Sequence, residues 1–400
     1  MASSFAGRSI VLGVCGGIAA YKSVEVLRQL IKGQARVRVI MTRHAESFVG
    51  PLTFQALSKQ AVCSDLFSAR NEAAISHIQW AQEAEGVVIA PATANMIGKL
   101  ANGLADDALS TFMLAVTCPV MICPSMNTDM YQSRAVQRNL DILRSDGCLI
   151  LEPGQGELAC GTTGPGRLPE PEHIVDRLIS YLTPKDLKSV RILVSAGPTR
   201  EAIDPVRFIS NPSTGKMGYA LARAAEQRGA QVTLISGPTQ LAAPLNVRLI
   251  RVDSAGEMAE AVFQHVGDSQ VVIKAAAVSD YRPASCAPHK IKKDRAQMIL
   301  ELEKTQDILK EIGSRQNRPV LVGFAAETQD LARHATTKLS EKNLDLIVGN
   351  LIGPMDSGFQ ADTNRVTLFH RDGRVESLEK MNKNDVADVI LDRVKRLLER

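Results

Sequence analysis

Gly16-Gly17-Ile18-Ala19 interrupts the apolar run Ser9–Val14 and leads into a helical pattern. A glycine turn between a strand and a helix offers bare backbone N–H groups where a phosphate can sit, although the same glycines would also serve a plain tight turn. The device returns mid-chain in different residues: Arg191–Ser195 breaks at Gly197-Pro198, before a helical stretch from Thr214. Ala90-Pro91-Ala92-Thr93-Ala94-Asn95 and Pro124-Ser125-Met126-Asn127 each end an apolar run with groups that suit helix capping or anion binding. Asn127 is thus either a cap or a residue of the ligand edge. His77, alone on the amphipathic segment Ala74–Trp80, carries no chemistry by itself. Cys160 lies in Ala159-Cys160-Gly161, in an irregular polar stretch that is a poor place to bury a thiol. An unperturbed thiol pKa of about 8.5 would let it give up a proton near neutrality.

The second half is rich in cations. Lys274-Ala275-Ala276-Ala277-Val278-Ser279-Asp280 runs off a strand and places Asp280 at its carboxyl end, fit for a metal, a ribose or a cap. Lys290-Ile291-Lys292-Lys293 follows in a loop, either as a solvated face or as an anion contact. Lys338 and Lys342 have the helical i,i+4 spacing and could aim two cations at a triphosphate. Two familiar fingerprints are absent. Gly-x-Gly-x-x-Gly frames from Gly13 and Gly197 fail at Cys15 and Thr199, and Ser213-Thr214-Gly215-Lys216 lacks the P-loop glycine at Ser210 and the hydroxyl at Met217.

Positioning these residues requires two α/β domains. In the first half, strands are expected at Ile10–Val14, Val37–Met41, Val87–Ala90, Val120–Cys123 and Cys148–Leu151. They are separated by helices Ala19–Ile31, Glu72–Glu83, Ala105–Val116 and Thr128–Arg144. Short apolar runs alternating with helices imply a doubly wound parallel sheet, here of flavodoxin-like type, with ligands beyond the strands' carboxyl ends. Pro153–Pro169 has no periodicity and is expected to be a functional flap, followed by a helix at Pro171–Tyr181 and a hinge at Thr183–Ser189.

The second half is expected to form a Rossmann-like α/β domain. Its strands are Arg191–Ser195, Val232–Ile235, Val247–Val252, Gln270–Ala275, Val320–Phe324 and Leu344–Val348, and its helices Thr214–Arg228, Ala255–Val266 and Gln329–Glu341. A hairpin, Arg365–His370 with Arg374–Leu378, and the helix Asn384–Leu398 complete it. The expected domains are residues 1–185 and 190–400.

Composition narrows the function. A chain of 400 residues supports two cores, and a net charge of +4 without a basic, aromatic-interleaved stripe argues against nucleic acid. No run is apolar enough to span a bilayer, and Met1–Arg8 has no secretory pattern. Seven cysteines, an odd number with no Cys-x-x-Cys pair, fit a reducing cytoplasm better than a disulfide or zinc scaffold.

Four motifs in order resemble the flavin-dependent phosphopantothenoylcysteine decarboxylases: Gly13-Val14-Cys15-Gly16-Gly17-Ile18-Ala19-Ala20-Tyr21-Lys22, His77-Ile78, Pro124-Ser125-Met126-Asn127 and Ala159-Cys160-Gly161. The resemblance implies FMN held by Gly16, Gly17, Ile18, Ala19, Thr42, Pro91, Ala92, Thr93, Ala94 and Asn95. It implies His77 as active-site base, Asn127 as anchor of the substrate carboxylate and Cys160 as proton donor. Cys15 and Ser125 depart from that family's usual Ser or Thr and Ala.

The second half is similar to the phosphopantothenate–cysteine ligases. The shared stretches are Gly197-Pro198-Thr199-Arg200-Glu201, Asp204-Pro205-Val206-Arg207, Ile209-Ser210-Asn211, Gly215-Lys216-Met217-Gly218, Asp280-Tyr281, Lys290-Ile291-Lys292, Gly323-Phe324-Ala325-Ala326-Glu327-Thr328 and Lys342-Asn343. That resemblance implies CTP with Mg²⁺ and an acyl-cytidylate held by Asn211, with Lys290 stabilising its formation. CTP contacts would come from Lys274, Ala275, Ala276, Asp280, Gln306, Asp307, Ile308, Leu309, Phe324, Lys338 and Lys342. Thr305-Gln306 replaces that family's usual Asn-Pro.

Together the two matches resemble the fused bacterial enzymes of coenzyme A biosynthesis. They imply phosphopantothenate and cysteine as substrates and a homo-oligomer, a dodecamer of decarboxylase trimers joined through ligase dimers. The rival readings are a non-enzymatic flavoprotein regulatory subunit and a two-domain nicotinamide dehydrogenase. The first would bring acidic extensions and would not need His77 with Cys160; the second lacks its fingerprint.

Overall fold

A computed structural model describes all residues except 1–4, 66–75, 158–160, 162, 293–296, 328, 352–360 and 400. The chain divides into two compact units, residues 1–183 and 184–400.

In the first unit, β1 (Ser9–Val14), β2 (Arg36–Met41), β3 (Val62–Cys63), β4 (Gly86–Ala92), β5 (Val120–Pro124) and β6 (Leu149–Ile150) form a parallel sheet in the order 3-2-1-4-5-6. The order reverses between β1 and β4, which opens a crevice at their carboxyl ends. Helices α1 (Ala20–Lys32), α2 (Pro51–Ser58), α3 (Ser76–Glu83), α4 (Ala94–Ala101), α5 (Ala108–Leu114), α6 (Thr128–Gln132), α7 (Arg134–Ser145) and α8 (Pro171–Leu182) surround it. Val26, Leu27, Leu30, Ile174 and Leu178 bury one face of the sheet, and Ile97, Leu109, Phe112 and Leu140 bury the other. Covered on both sides, the central strands are apolar throughout, which is why they were legible as unbroken runs. Each fully buried aliphatic side chain contributes about 1.5–3 kcal/mol.

Three expectations here are corrected. The single helix Thr128–Arg144 is two, because Ser133 takes an extended conformation and its hydroxyl accepts the Val136 N–H to start α7. The helix expected at Ala105–Val116 is confined to α5, with Asp107 and Ser110 forming a capping box. Pro153–Pro169 is not irregular: β7 (Gly154–Glu157) and β8 (Thr163–Arg167) pair as an antiparallel hairpin. Gly156 and Gly166 sit at φ values of 149° and 150°, which only glycine adopts readily, so the hairpin has no hydrophobic alternation to read.

In the second unit, β9 (Arg191–Ala196) is followed by a small antiparallel pair, β10 (Arg200–Ala202) and β11 (Phe208–Ser210). Next come α9 (Lys216–Gln227), β12 (Gln231–Ser236), β13 (Arg248–Arg251), α10 (Ala255–Val266) and β14 (Val271–Lys274). A second antiparallel pair, β15 (Tyr281–Pro283) and β16 (Leu302–Lys304), precedes α11 (Ile308–Gly313), β17 (Val320–Glu327), α12 (Leu331–Glu341) and β18 (Leu346–Leu351). The chain closes through β19 (Thr363–Asn364), β20 (Val366–His370), β21 (Val375–Ser377), β22 (Met381–Asn382) and α13 (Lys383–Leu398).

The main sheet runs β13-β12-β9-β14-β17-β18-β20-β21. It is parallel up to β18, where β20 and β21 add an antiparallel edge. Here the order reverses between β9 and β14. Leu221, Val386, Ile390 and Val394 pack on one face, and Met258, Val262, Ile312 and Ala335 on the other.

The expected hinge Thr183–Ser189 is also corrected, because residues 185–188 are docked on the second unit. Leu187 is buried in its core, and its N–H reaches the Arg228 carbonyl at 3.0 Å. Arg228 forks onto Asp186 at 2.7 and 2.9 Å and reaches Asp392 at 2.8 Å. Cutting within 185–189 would therefore strip an anchoring carboxylate from the second core. Separately expressed residues 1–183 and 184–400 are expected to fold as two cooperative units, each with its own calorimetric transition. Failure of either piece to give one would show that the units share a core.

Candidate functional sites

In the first unit the glycine turn follows β1 directly. The Cys15 N–H donates to the Pro91 carbonyl at 3.2 Å, and the Thr42 N–H donates to the Val14 carbonyl at 3.0 Å, so the ends of β1, β2 and β4 are tied together. A Cβ on Gly16 would lie 2.6 Å from the backbone of His44, so any side chain there would displace the Thr42–Ser47 turn. Among the described residues, no backbone carbonyl takes the N–H of Gly16, Gly17, Ile18 or Ala19. Thr42 is buried, and its hydroxyl has no partner. Thr93 closes the other side, its methyl 4.0 Å from a Cβ position on Gly17 and its hydroxyl capping α4 at the Met96 N–H. Pro91 and Ala92 are buried in the strand end, while Ala94 and Asn95 open α4. Unused N–H groups beside an orphaned hydroxyl suit a phosphorylated cofactor.

Cys15 plays no exposed part. Burial pushes its thiol up to about 12, against contacts with Thr93 that lower it. It is a packing residue.

Asn127 caps α6, its amide oxygen accepting the Asp129 N–H at 2.8 Å. The preceding turn is stitched on both sides. The Ser125 N–H reaches the Ala92 carbonyl at 3.0 Å, and the Met126 N–H and Ser125 hydroxyl reach the Gly166 carbonyl at 3.1 and 3.4 Å. Asn127 is thus fixed between the end of β4 and the hairpin. The Tyr131 hydroxyl bonds to Glu152, just before the hairpin, and Glu152 pairs with Arg144 at 2.6 Å. Cys160 lies outside the described residues, between β7 and β8. His77 falls in α3.

In the second unit a pocket of about 400 Å³ opens at the carboxyl ends of β14, β17 and β18, beside the switch point. Of the residues singled out from sequence, Asn211, Lys274, Ala275, Ala276, Asp280, Leu309, Phe324, Lys338 and Lys342 line it. Asn211 donates its amide to the Ala277 carbonyl at 3.0 Å. The buried Thr199 hydroxyl accepts the Ser279 N–H at 3.1 Å, while the Thr305 hydroxyl donates to the Ser279 carbonyl at 2.6 Å. Thr305 thereby steadies the turn that carries Asp280, which accounts for a hydroxyl at that position.

Of the Gln306–Leu309 segment, the structure brings only Leu309 to the pocket wall. Ile308 is buried in the core, the Gln306 amide donates to Glu311 at 2.5 Å, and Asp307 caps α11. Lys290 is exposed and is not among the lining residues. Its segment is held elsewhere, with the Ile291 N–H on Asp204 at 3.1 Å and the Arg207 guanidinium on the Ile291 carbonyl.

The wall also holds Lys216, Lys383, Asn350 and Asn364. Lys216 stands both in the failed P-loop pattern and in the ligase-like stretch Gly215-Lys216-Met217-Gly218. Lys383 lies one residue before the helix expected at Asn384–Leu398, and no spacing in the sequence marks it or the two asparagines.

Several ammonium groups in one partly closed pocket need counter-charges. Lys338 pairs with Glu327 at 2.7 Å and Lys342 with Asp307 at 2.8 Å. Burial alone would raise both carboxyls, but the lysines hold them below their ordinary range. Lys274 is pulled down to about 8, first by desolvation and then by repulsion from Lys342. Lys383 is pulled down to about 8 by desolvation and then by Lys216. Groups depressed in the folded protein lose their protons early: between about pH 8 and 10.5 these two amines are neutral in the native state while an unfolded lysine stays charged. Acylation of native protein, mapped by peptide mass spectrometry, should therefore reach half its maximal rate near pH 8 at Lys274 and Lys383. Midpoints near 10.5 would show that the pocket does not desolvate them.

Among the described residues, no cluster of three His, Cys, Asp or Glu could hold a metal, and no helix is long and apolar enough to cross a membrane.

Residues 3–183 match the flavoprotein family model, and residues 187–398 match that of the DNA/pantothenate metabolism flavoprotein C-terminal domain. The coenzyme A biosynthesis bifunctional protein CoaBC of Bacillus subtilis is 51% identical over 97% of this chain and 96% of its own. The protein of the same name from Escherichia coli K12 is 45% identical over 98% of this chain and 97% of its own. The crystal structure of the C-terminal domain of a protein so named covers 54% of this chain and 98% of its own, at 46% identity and a TM-score of 0.47. A family model over half the chain and relatives matched along nearly all of it agree, and the chain belongs to the family of bifunctional coenzyme A biosynthesis proteins.

Proposed function

We propose that the second unit joins phosphopantothenate to cysteine using CTP, and that the first unit then decarboxylates the product with FMN to give phosphopantetheine. The observation that carries this reading is the lysine-walled pocket at the switch point of the second sheet, a site for a polyphosphate. The free N–H groups of Gly16–Ala19 and the unpartnered Thr42 hydroxyl support an FMN phosphate in the first unit.

In the ligase reaction a carboxylate oxygen of phosphopantothenate attacks the α-phosphorus of CTP. A P–O bond forms, the bond to pyrophosphate breaks, and an acyl-cytidylate results. Cysteine's amine then attacks the acyl carbon, releases CMP and loses its proton. Lys274, Lys338 and Lys342 offset the charge of the triphosphate, with Mg²⁺ entering alongside the nucleotide. Phe324, Leu309, Asp280 and the Lys274–Ala276 backbone frame the nucleotide, Asn211 holds the intermediate, and Lys290 stabilises its formation.

In the decarboxylase, FMN supplies the oxidation of the substrate thiol and the later return of the electron pair. The chain's residues position the substrate and move its protons. His77 accepts the thiol proton, Asn127 anchors the carboxylate until it leaves as CO₂, and Cys160 protonates the remaining enethiol carbon. A cytoplasmic homo-oligomer, with trimers of the first unit and dimers of the second, belongs to the same reading.

Cys160→Ser should keep its yellow colour and its ligase activity, but it should release CO₂ and stop at the enethiol, because an alcohol is a far weaker acid than a thiol. His77→Asn should stop before CO₂ release. Product mass spectrometry reads both, and normal phosphopantetheine output from either removes that residue's role.

In the ligase, Lys290→Gln should slow pyrophosphate release without cysteine by roughly a hundredfold, the scale of one lost oxyanion donor. Asn211→Asp should still release pyrophosphate but transfer poorly to cysteine. Parent-like pyrophosphate release from Lys290→Gln would return that lysine to a solvated face.

A further inference from the structure

We propose that Lys383 and Asn364, with Lys216, form the seat for the terminal phosphates of the nucleotide, and hence for pyrophosphate as it leaves. The proposal rests on reading this pocket as a CTP site and adds residues to it.

The pocket has two unlike ends. At one, Lys338 and Lys342 are each drawn into a close ion pair with a carboxylate. At the other, α9 begins at Lys216 and α13 begins at Lys383, so two helix N-termini meet there. Neither start carries a side-chain cap bond. Each N-terminus carries roughly half a positive charge, so two of them together with two ammonium groups make a strongly positive spot. Among the described residues its carboxylates are Asp385, in the first turn of α13, and Asp362, which reaches Lys216 at 2.7 Å with its own side chain 84% exposed.

The polar groups around this spot are incompletely used. Asn364 is 4% exposed, and its amide oxygen has no partner; the Asn350 amide oxygen is likewise buried without one. Both residues line the pocket. A buried polar atom left without a partner is destabilising, so such a pair points to a missing polar occupant. Rotated about its last bond, each amide presents N–H donors to a phosphate oxygen.

Placement fits as well. The Lys383 N–H donates to the Asp362 carbonyl at 3.1 Å, and Thr363 and Asn364 pair with Asn382 and Met381, so the lysine and Asn364 ride on one small ladder. Lys383 is 6% exposed, and after burial itself the charge of Lys216 is what most disfavours its own. An anion between the two would turn their repulsion into attraction and return a full charge to Lys383. Seated here, the β- and γ-phosphates would be held as pyrophosphate while the α-phosphorus is attacked.

Calorimetry on the full-length protein with Mg²⁺ tests this with four probes: CTP, CMP, inorganic pyrophosphate and phosphopantothenate. Lys383→Gln and Asn364→Asp should each weaken CTP and pyrophosphate by roughly tenfold or more, as expected for a lost or reversed charge-assisted hydrogen bond. CMP and phosphopantothenate should bind as to the parent. Unchanged CTP and pyrophosphate affinities overturn the proposal, and so does a loss confined to phosphopantothenate. Pyrophosphate binding that depends on Lys383, in a protein that takes no CTP, would keep the anion seat and reject the CTP reading. Should both variants fail to fold, amine labelling of the unmodified protein decides: CTP and pyrophosphate should shield Lys383 while CMP does not, and equal labelling with and without them overturns the assignment.

Discussion

Crowding ammonium groups into a half-closed pocket is the demanding act around which the second unit is arranged. Burial first, and repulsion from a neighbouring ammonium second, pull Lys274 and Lys383 down to about 8. The surrounding elements supply the compensation. Strand β17 ends in Glu327 beside Lys338, the start of α11 brings Asp307 to Lys342, and the loop before β19 brings Asp362 to Lys216. Each of these carboxylates sits at the end of an element, at the edge of the cavity. The parallel sheet makes this possible, since every β-α crossover delivers a strand's carboxyl end and a following helix start to the same rim.

The first unit solves a milder form of the same problem with neutral groups. Its crevice offers backbone N–H groups and a hydroxyl, so it carries no self-repulsion and needs no counter-ions. Rigidity is supplied by stitching instead: Cys15 to Pro91, Thr42 to Val14 and Ser125 to Ala92 tie four strand ends into one rim. The hairpin is joined to that rim through the Gly166 carbonyl, which takes two donors from the turn before Asn127.

What the sequence revealed follows from where information is local. Strands such as Ile10–Val14 and Val320–Phe324 are buried on both faces, so composition alone marked them. Helices with a clear apolar stripe, such as Ala255–Val266, were legible to the residue. The hairpin β7–β8 was not, because its glycines erase alternation, and neither was the break at Ser133, where a single side chain trades helix continuation for a new cap. Short α2 and α4 lacked the length to show a period. The glycine turn and the Lys338–Lys342 pair stood out because their chemistry is written in neighbouring residues, whereas Asn211 stood out only through the ligase resemblance. Lys383, Asn350 and Asn364 did not. They become one site only when β18, β19 and α13 are folded together, and that depends on strand register, which no short window contains.

Asn127 joins two duties in one small side chain. Its amide oxygen accepts the Asp129 N–H that starts α6, while its amide nitrogen can only donate. Aspartate, serine and threonine would begin the helix equally well, yet aspartate would repel an anionic ligand and the shorter hydroxyls would present no second head. If Asn127 anchors the substrate carboxylate as proposed, folding at this position is permissive while recognition is strict, and asparagine meets both. Under that proposal the start of a helix would itself set which ligand polarity the position prefers.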